Sequence, residues 1–167
     1  ELSPSTTGVG VFQGRIALDT TGGSSSEIDL TVSHGDTISA KYFDSHYGDA
    51  GSHEVVTTAT VDLTPPQILD VTVSNVTENS ATVAWSCSEP VSGAVEYGDS
   101  RTLGLQKSDR VLTEAHSLNL PGLSENRPYY FSVEVRDPAG NEVVADNGGA
   151  LYTFQTRYTV SIFRDDM

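Results

Sequence analysis

Along most of the chain apolar and polar residues alternate with a period of two, and no stretch shows the 3.6-residue spacing of an amphipathic helix. The clearest runs are Ser80-Ala81-Thr82-Val83-Ala84-Trp85 and residues 129–136. Ala81, Val83 and Trp85 share one face of the first; Tyr129, Phe131, Val133 and Val135 share one face of the second. The same pattern predicts further strands at 67–74 (Ile68 and Val71 or Val73 inward), 92–98 (Val95, Tyr97) and 115–120 (Leu118, Leu120). A weak edge strand is predicted at 103–107 and a closing strand at 150–156. Upstream, strands are predicted at 11–18 (Phe12, Ile16, Leu18), 27–32 (Ile28, Leu30, Val32), 37–43 (Ile38, Ala40, Tyr42) and 54–62 (Val55, Thr57, Ala59, Val61). Clusters of Gly, Ser, Asp and Thr separate them, as turns require. The fold class predicted is all-β, with two tandem β-sandwich modules.

The boundary falls at Pro65-Pro66, where two missing amide donors and a fixed φ make a short, stiff connector. The predicted domains are 1–62, a strand-poor module; 63–66, the linker; 67–156, a full sandwich; and 157–167, a tail. Four strands in the front module form a marginal core, so missing strands are expected before Glu1 or from elsewhere. In the tail, Tyr158, Val160 and Ile162 alternate as an extra strand that either opens a further domain or is lent to a partner.

A single Trp on an early strand (Trp85), with Leu123 six residues before a Tyr (Tyr129) that opens a late strand containing Phe131 and Val133, resembles the core of a fibronectin type III module. The resemblance implies a tyrosine whose hydroxyl turns back to upstream backbone. The turn Asp137-Pro138-Ala139-Gly140-Asn141 is similar to one in microbial versions of that module. In the front module, Gly10 to Ile16, Gly35-Asp36-Thr37-Ile38 and Tyr42-Phe43-Asp44 resemble immunoglobulin-like repeats of large secreted microbial proteins, subtilisin-like proteases among them. The ending Phe163-Arg164-Asp165-Asp166-Met167 resembles the entry to a β domain of secreted modular hydrolases.

Charge narrows the partners. With 9 Lys and Arg against 23 Asp and Glu the net charge is −14, which disfavours nucleic acid and anionic membrane. No apolar run approaches the ~20 residues that span a bilayer. The start at Glu1, without a leader pattern, reads as a mature or excised piece. The single cysteine, Cys87, forms no intrachain disulfide and has the parity of Trp85, which points it inward.

Candidate chemistry is sparse. Gly98-Asp99-Ser100 superficially resembles the nucleophile block of GDS hydrolases, but it ends a predicted strand with no helix following, so a turn is expected. His34, His46, His53 and His116 show no metal-ligand spacing. Calcium is the one candidate cofactor, for which oxygen ligands are sought in Asp44 with Asp49, or in Asp137, Asn141 and Asp146. Tyr47, Tyr130, Tyr152 and Tyr158 are spare aromatics for glycan stacking, and Asn75-Val76-Thr77 is a glycosylation sequon. The expected function is a non-catalytic spacer or docking segment of a secreted or cell-surface protein, beside a hydrolase. Its partners would be neighbouring domains or other copies of the chain. A self-assembling filament or adhesin, joined by donation of the C-terminal strand, is the alternative, and glycan binding a third.

Overall fold

The computed structural model describes residues 30–44 and 53–159, together with the backbone pairing of short strands at 3–4, 12–13 and 18–19. The chain divides into two compact units, Glu1–Leu63 and Thr64–Met167. Among the described residues there is no helix.

In the first unit, β1 (Ser3–Pro4) pairs antiparallel with β2 (Phe12–Gln13), and β3 (Leu18–Asp19) pairs parallel with β4 (Leu30–Thr31). The long elements are β5 (Thr37–Asp44) and β6 (His53–Thr60), a hairpin in register from Thr37↔Thr60 to Asp44↔His53. A turn at Ser33 to Asp36 leads into it: the Ser33 amide donates to Asp36 Oδ2 at 2.7 Å, and Gly35, at φ +85°, donates to Val61 O at 2.8 Å. Val32 and Val61 are buried. The expectation that Ala40 and Tyr42 turn inward is corrected: Ala40, Val55, Thr57 and Ala59 are exposed, and Tyr42 keeps 43% of its surface. Alternation put these residues on one face, but parity cannot say whether a second layer covers that face.

The second unit is a sandwich of antiparallel strands: β7 (Ile68–Ser74), β8 (Ser80–Gly98), β9 (Leu105–Pro121), β10 (Pro128–Arg136), β11 (Glu142–Ala145) and β12 (Tyr152–Gln155). The strands expected at 80–87 and 92–98 are one continuous element, as are those expected at 103–107 and 115–120. Each crosses from one layer to the other. Ser80 to Ser86 lie between β7 and the end of β9, whereas Gly93 to Tyr97 lie between the start of β9 and β10. Pro90 sits at the crossing, where the ladder shifts register and a missing amide costs least. Ser88 and Gln67 hold the corner by two bonds of 2.9 Å.

Odd residues of β8 face inward on both sides of the corner, so Ala81, Val83, Trp85 and Cys87 join Val91, Val95 and Tyr97 in one core with Leu118, Leu120, Leu123, Tyr129, Phe131, Val133 and Val135. Phe131, Leu120 and five valines are essentially solvent-free. At about 1.5–3 kcal/mol for each fully buried side chain, they carry this unit without any disulfide. Tyr129 stacks on Phe154 (5.6 Å) and Phe131 on Tyr152 (5.2 Å), docking β12. The Ser124 amide donates to the Tyr129 hydroxyl at 2.9 Å, the corner bond the resemblance implied.

β11 was not foreseen: alternation at 142–145 is too short to stand out beside the longer runs. The described residues of the linker and of the start of the tail are tied to the second unit. Pro66 is buried, Asn141 Nδ2 donates to Thr64 O at 3.3 Å, and Arg157 is bonded through its amide to Thr77 O and through its carbonyl to the Asn126 amide. Tyr158 and Thr159 are not in a strand, and Tyr158 is 66% exposed. Val160 and Ile162 lie outside the described residues.

Candidate interaction surface

The second half of β8 sends Ser92, Ala94 and Glu96 outward. Register places Gln106 and Ser108 of β9, Glu134 and Arg136 of β10, and Glu142 and Val144 of β11 on the same outer face. Because Ser92 and Ala94 are short, the middle of this face is a shallow open trough of ≈ 270 Å³ with charged walls. Arg136 Nη1 pairs with Glu142 Oε1 at 3.3 Å across it, and Ser92 Oγ donates to Arg136 O at 3.2 Å. Both partners of that ion pair are solvated, so it orients side chains more than it stabilises the fold.

The floor of the trough is the backbone of Gly93, and directly beneath it, inside the sandwich, lies Trp85. A Cβ on Gly93 would stand 2.5 Å from Trp85 Cζ2 and 3.3 Å from Glu134 O. The indole thus packs flat against strand backbone, which requires glycine opposite. Trp85 Nε1 is buried without a hydrogen-bond partner, so packing alone places the ring.

His116, opposite Trp85 in register, stacks on the indole at 4.8 Å and 11°. Its side chain is fully buried. Nδ1 lies 3.1 Å from Asp109 Oδ2, and Nε2 lies 3.0 Å from Val91 O and 3.1 Å from Thr113 O. Every partner is an acceptor. An N–H on Nε2 can donate to the Val91 and Thr113 carbonyls, while Nδ1 faces the Asp109 carboxylate. Val91 and Thr113 belong to the crossing where the ladder shifts register, and the ring bonds both of their carbonyls there.

The irregularity has an outward consequence. Between Val91↔Thr113 and Gly93↔Asp109, β8 contributes only Ser92, while β9 contributes Arg110, Val111 and Leu112. The surplus bulges from the trough's rim, leaving Val111 63% and Leu112 54% exposed. Asp109 anchors it, accepting from the Val111 amide at 3.0 Å through Oδ1 while Oδ2 holds His116. The Val111 amide first, and then the His116 bond and charge, outweigh partial burial and hold the Asp109 carboxyl below the usual carboxylate range. The assembly is an exposed apolar tip beside a charged trough, tied through Asp109 and one histidine to the core. Sequence reasoning missed it; the signal was a glycine inside a strand pattern, Gly93, which marks close backbone approach.

The expected site residues are scattered. Asp137, Asn141 and Asp146 do not form one set: the first two end one side of β11 and the third begins the other, roughly 15 Å along an extended strand. Asp137 is already occupied, with Oδ1 accepting from the Gly140 (2.7 Å) and Asn141 (2.9 Å) amides and Oδ2 from Asn141 Nδ2 (2.8 Å). Burial alone would raise its pKa, but the Asn141 side chain and the Asn141, Gly140 and Ala139 amides together bring it below the ordinary 3.8. Its folded-state value being depressed, its stabilisation is full above about 3.8 and is lost as pH falls through the folded value. Asp137→Ala should therefore lower stability by about 2–3 kcal/mol near neutrality. The difference in urea midpoint from the parent chain should close in acid.

Asp146 Oδ1 accepts from the Gly149 amide at 3.0 Å. Asp44 closes the hairpin register opposite His53; Asp49, His46 and Tyr47 lie outside the described residues. His34 Nδ1 accepts from the Leu63 amide at 3.1 Å, a structural role. Ser100 Oγ bonds Thr102 Oγ1 at 2.9 Å in an exposed turn. His116 sits beside Val91, roughly 20 Å along the strand from Gly98, so it does not reach Ser100. Tyr130 lies under the Arg101 guanidinium at 5.4 Å and Tyr152 packs on Phe131, so these two do not line up. Asn75 is exposed at φ +49°.

The sequence model of the fibronectin type III domain matches residues 64–146. This region is a fibronectin type III module. Such modules are extracellular-type spacers or binding modules, generally non-catalytic. Among solved structures, the chain is similar to one titled "Myokine structure" (22% identity, TM-score 0.46, covering 57% of this chain and 100% of that one). It is similar also to a fibronectin type III domain from the human KIAA0970 protein (15%, TM-score 0.43, 59% and 78%). A third is the corresponding domain of human collagen alpha-1(XX) chain (23%, TM-score 0.42, 60% and 90%). At these TM-scores the likenesses add nothing to the family match. No curated protein matches the chain. Among the described residues no helix is long and apolar enough to cross a membrane.

Proposed function

We propose that this chain is a non-catalytic spacer and docking segment of an extracellular protein, adjoining the catalytic domain of a secreted modular hydrolase. One observation carries the reading: the interior of the fibronectin type III module is filled by its own side chains, down to an indole seated on Gly93, while its reactive residues are apart or engaged in structural bonds. What remains outward is the trough with its Val111–Leu112 tip, a surface suited to holding a neighbouring domain. The test is an assay of the purified chain on peptide, ester and glycan substrates. Turnover abolished by a single substitution would end this reading.

The hairpin of the first unit favours a second reading, self-assembly, because Tyr42, Val55 and Val56 stay 43–50% exposed on a two-stranded ribbon that is marginal alone. In that scheme residues 158–163 of another copy add to this unit. Solution mass with and without residues 157–167 separates the two: a monomer in both cases leaves the spacer alone standing.

A further inference from the structure

The loop joining β11 to β12 carries the only Asn-Gly step of the sequence, Asn147-Gly148. We propose that Asn147 deamidates spontaneously in the folded protein, through a cyclic imide closed by the Gly148 amide nitrogen. The deprotonated nitrogen of Gly148 attacks Asn147 Cγ; a C–N bond forms and the side-chain nitrogen leaves as ammonia. Water then opens the five-membered imide. Attack at the side-chain carbonyl gives aspartate, and attack at the main-chain carbonyl gives isoaspartate. The sum is Asn plus water to Asp or isoAsp plus ammonia, with no oxidant or reductant.

Three observations single out this position. First, the nucleophile is free. The Gly149 amide donates to Asp146 Oδ1 (3.0 Å), the Ala150 amide to Asn147 O (3.3 Å) and the Leu151 amide to Asp146 O (2.7 Å), whereas that of Gly148 makes no hydrogen bond among the described residues. Second, there is room: both residues are exposed, and nothing lies within 4 Å of where a Gly148 Cβ would be. Third, the leaving group is lightly held, since Asn147 Nδ2 makes only a 3.4 Å bond to Leu151 O. The other asparagines are protected. The amide after Asn79 is bound to Thr77 Oγ1 and the one after Asn126 to Thr156 Oγ1, both at 3.0 Å. Those after Asn119 and Asn141 belong to paired strand residues, and Asn75 precedes a β-branched valine.

The product alters a loop under load. Leu151 is held at φ +63°, and Arg101 Nη1 reaches across to Ala150 O at 3.2 Å. Isoaspartate routes the main chain through Cβ and Cγ, adding an atom inside the ring closed by the Asp146–Leu151 bond, and either product adds a negative charge to a net of −14. Deamidation therefore loosens the Arg101 clasp as the protein ages.

The test ages the whole native chain in mildly alkaline heavy-oxygen water, beside a urea-unfolded sample, followed by isoelectric focusing and peptide mapping. The expected result is an acidic species growing in the native sample. It should map to Asn147 as mixed Asp and isoAsp with one labelled oxygen, and isoaspartyl methyltransferase should label it. Asn147→Gln, checked for folding by circular dichroism, should abolish the species. The proposal is overturned if Asn147 stays intact in the native sample while the unfolded one reacts, or if the acid maps to another asparagine.

Discussion

Gly93→Ala should destabilise the fibronectin type III module by about 3 kcal/mol, at the upper end of overpacking costs. The added methyl would sit 2.5 Å from Trp85 Cζ2, nearly an ångström closer than van der Waals contact permits. Neither neighbour can yield. Trp85 is stacked on the buried His116 ring at 4.8 Å, and the backbone of Gly93 is paired to both β9 and β10, with Glu134 O 3.3 Å from the new methyl. Glycine normally gains a few tenths of a kcal/mol from replacement by alanine, through the unfolded state, so a loss of this size would isolate the close approach. Urea unfolding followed by far-ultraviolet circular dichroism, which needs no tryptophan, measures it. A midpoint unchanged from the parent would mean that the indole does not rest on this strand. Trp85→Leu in the Gly93→Ala background should recover part of the loss.

His116→Ala should cost about 3–5 kcal/mol, since it removes an aromatic ring from the core and strips the donor from three oxygens. The control is His116→Phe, which keeps a ring against Trp85 but cannot donate to Val91 O, Thr113 O or Asp109. If the polar bonds matter, His116→Phe remains well below the parent, and amide exchange rises at Val111, whose anchor on Asp109 is loosened. Equal stability of His116→Phe and parent would show that the ring serves only as packing. Asp109→Asn is expected to be milder, because its carboxylate is partly solvated, and to remove the acid-side loss of stability that its depressed pKa implies.

The inside of the second unit was legible from sequence because alternation is local: a residue's parity along its own strand decides its face. Trp85, Tyr129, Phe131 and Val133 are buried on the face that alternation gave them, Leu123 is buried beside them, and Tyr129 makes its corner bond because five residues suffice to define it. Parity also predicted too much in the first unit, where Ala40 and Tyr42 share a face that stays open to solvent.

The rest turns on register, which is not local. That two predicted strands are one β8 crossing between layers, that Gly93 lies over Trp85, and that His116 reaches carbonyls twenty-five and three residues away in sequence depend on which residues are paired across the sheets. A three-against-one mismatch in that pairing creates both the buried histidine's task and the exposed Val111–Leu112 tip. The sequence alone thus determined an all-β chain with a tryptophan-centred sandwich and an acidic skin. Only the tertiary structure decided where strands slip past one another, because a slip costs local hydrogen bonds and is accepted only when packing elsewhere in the core offsets the loss.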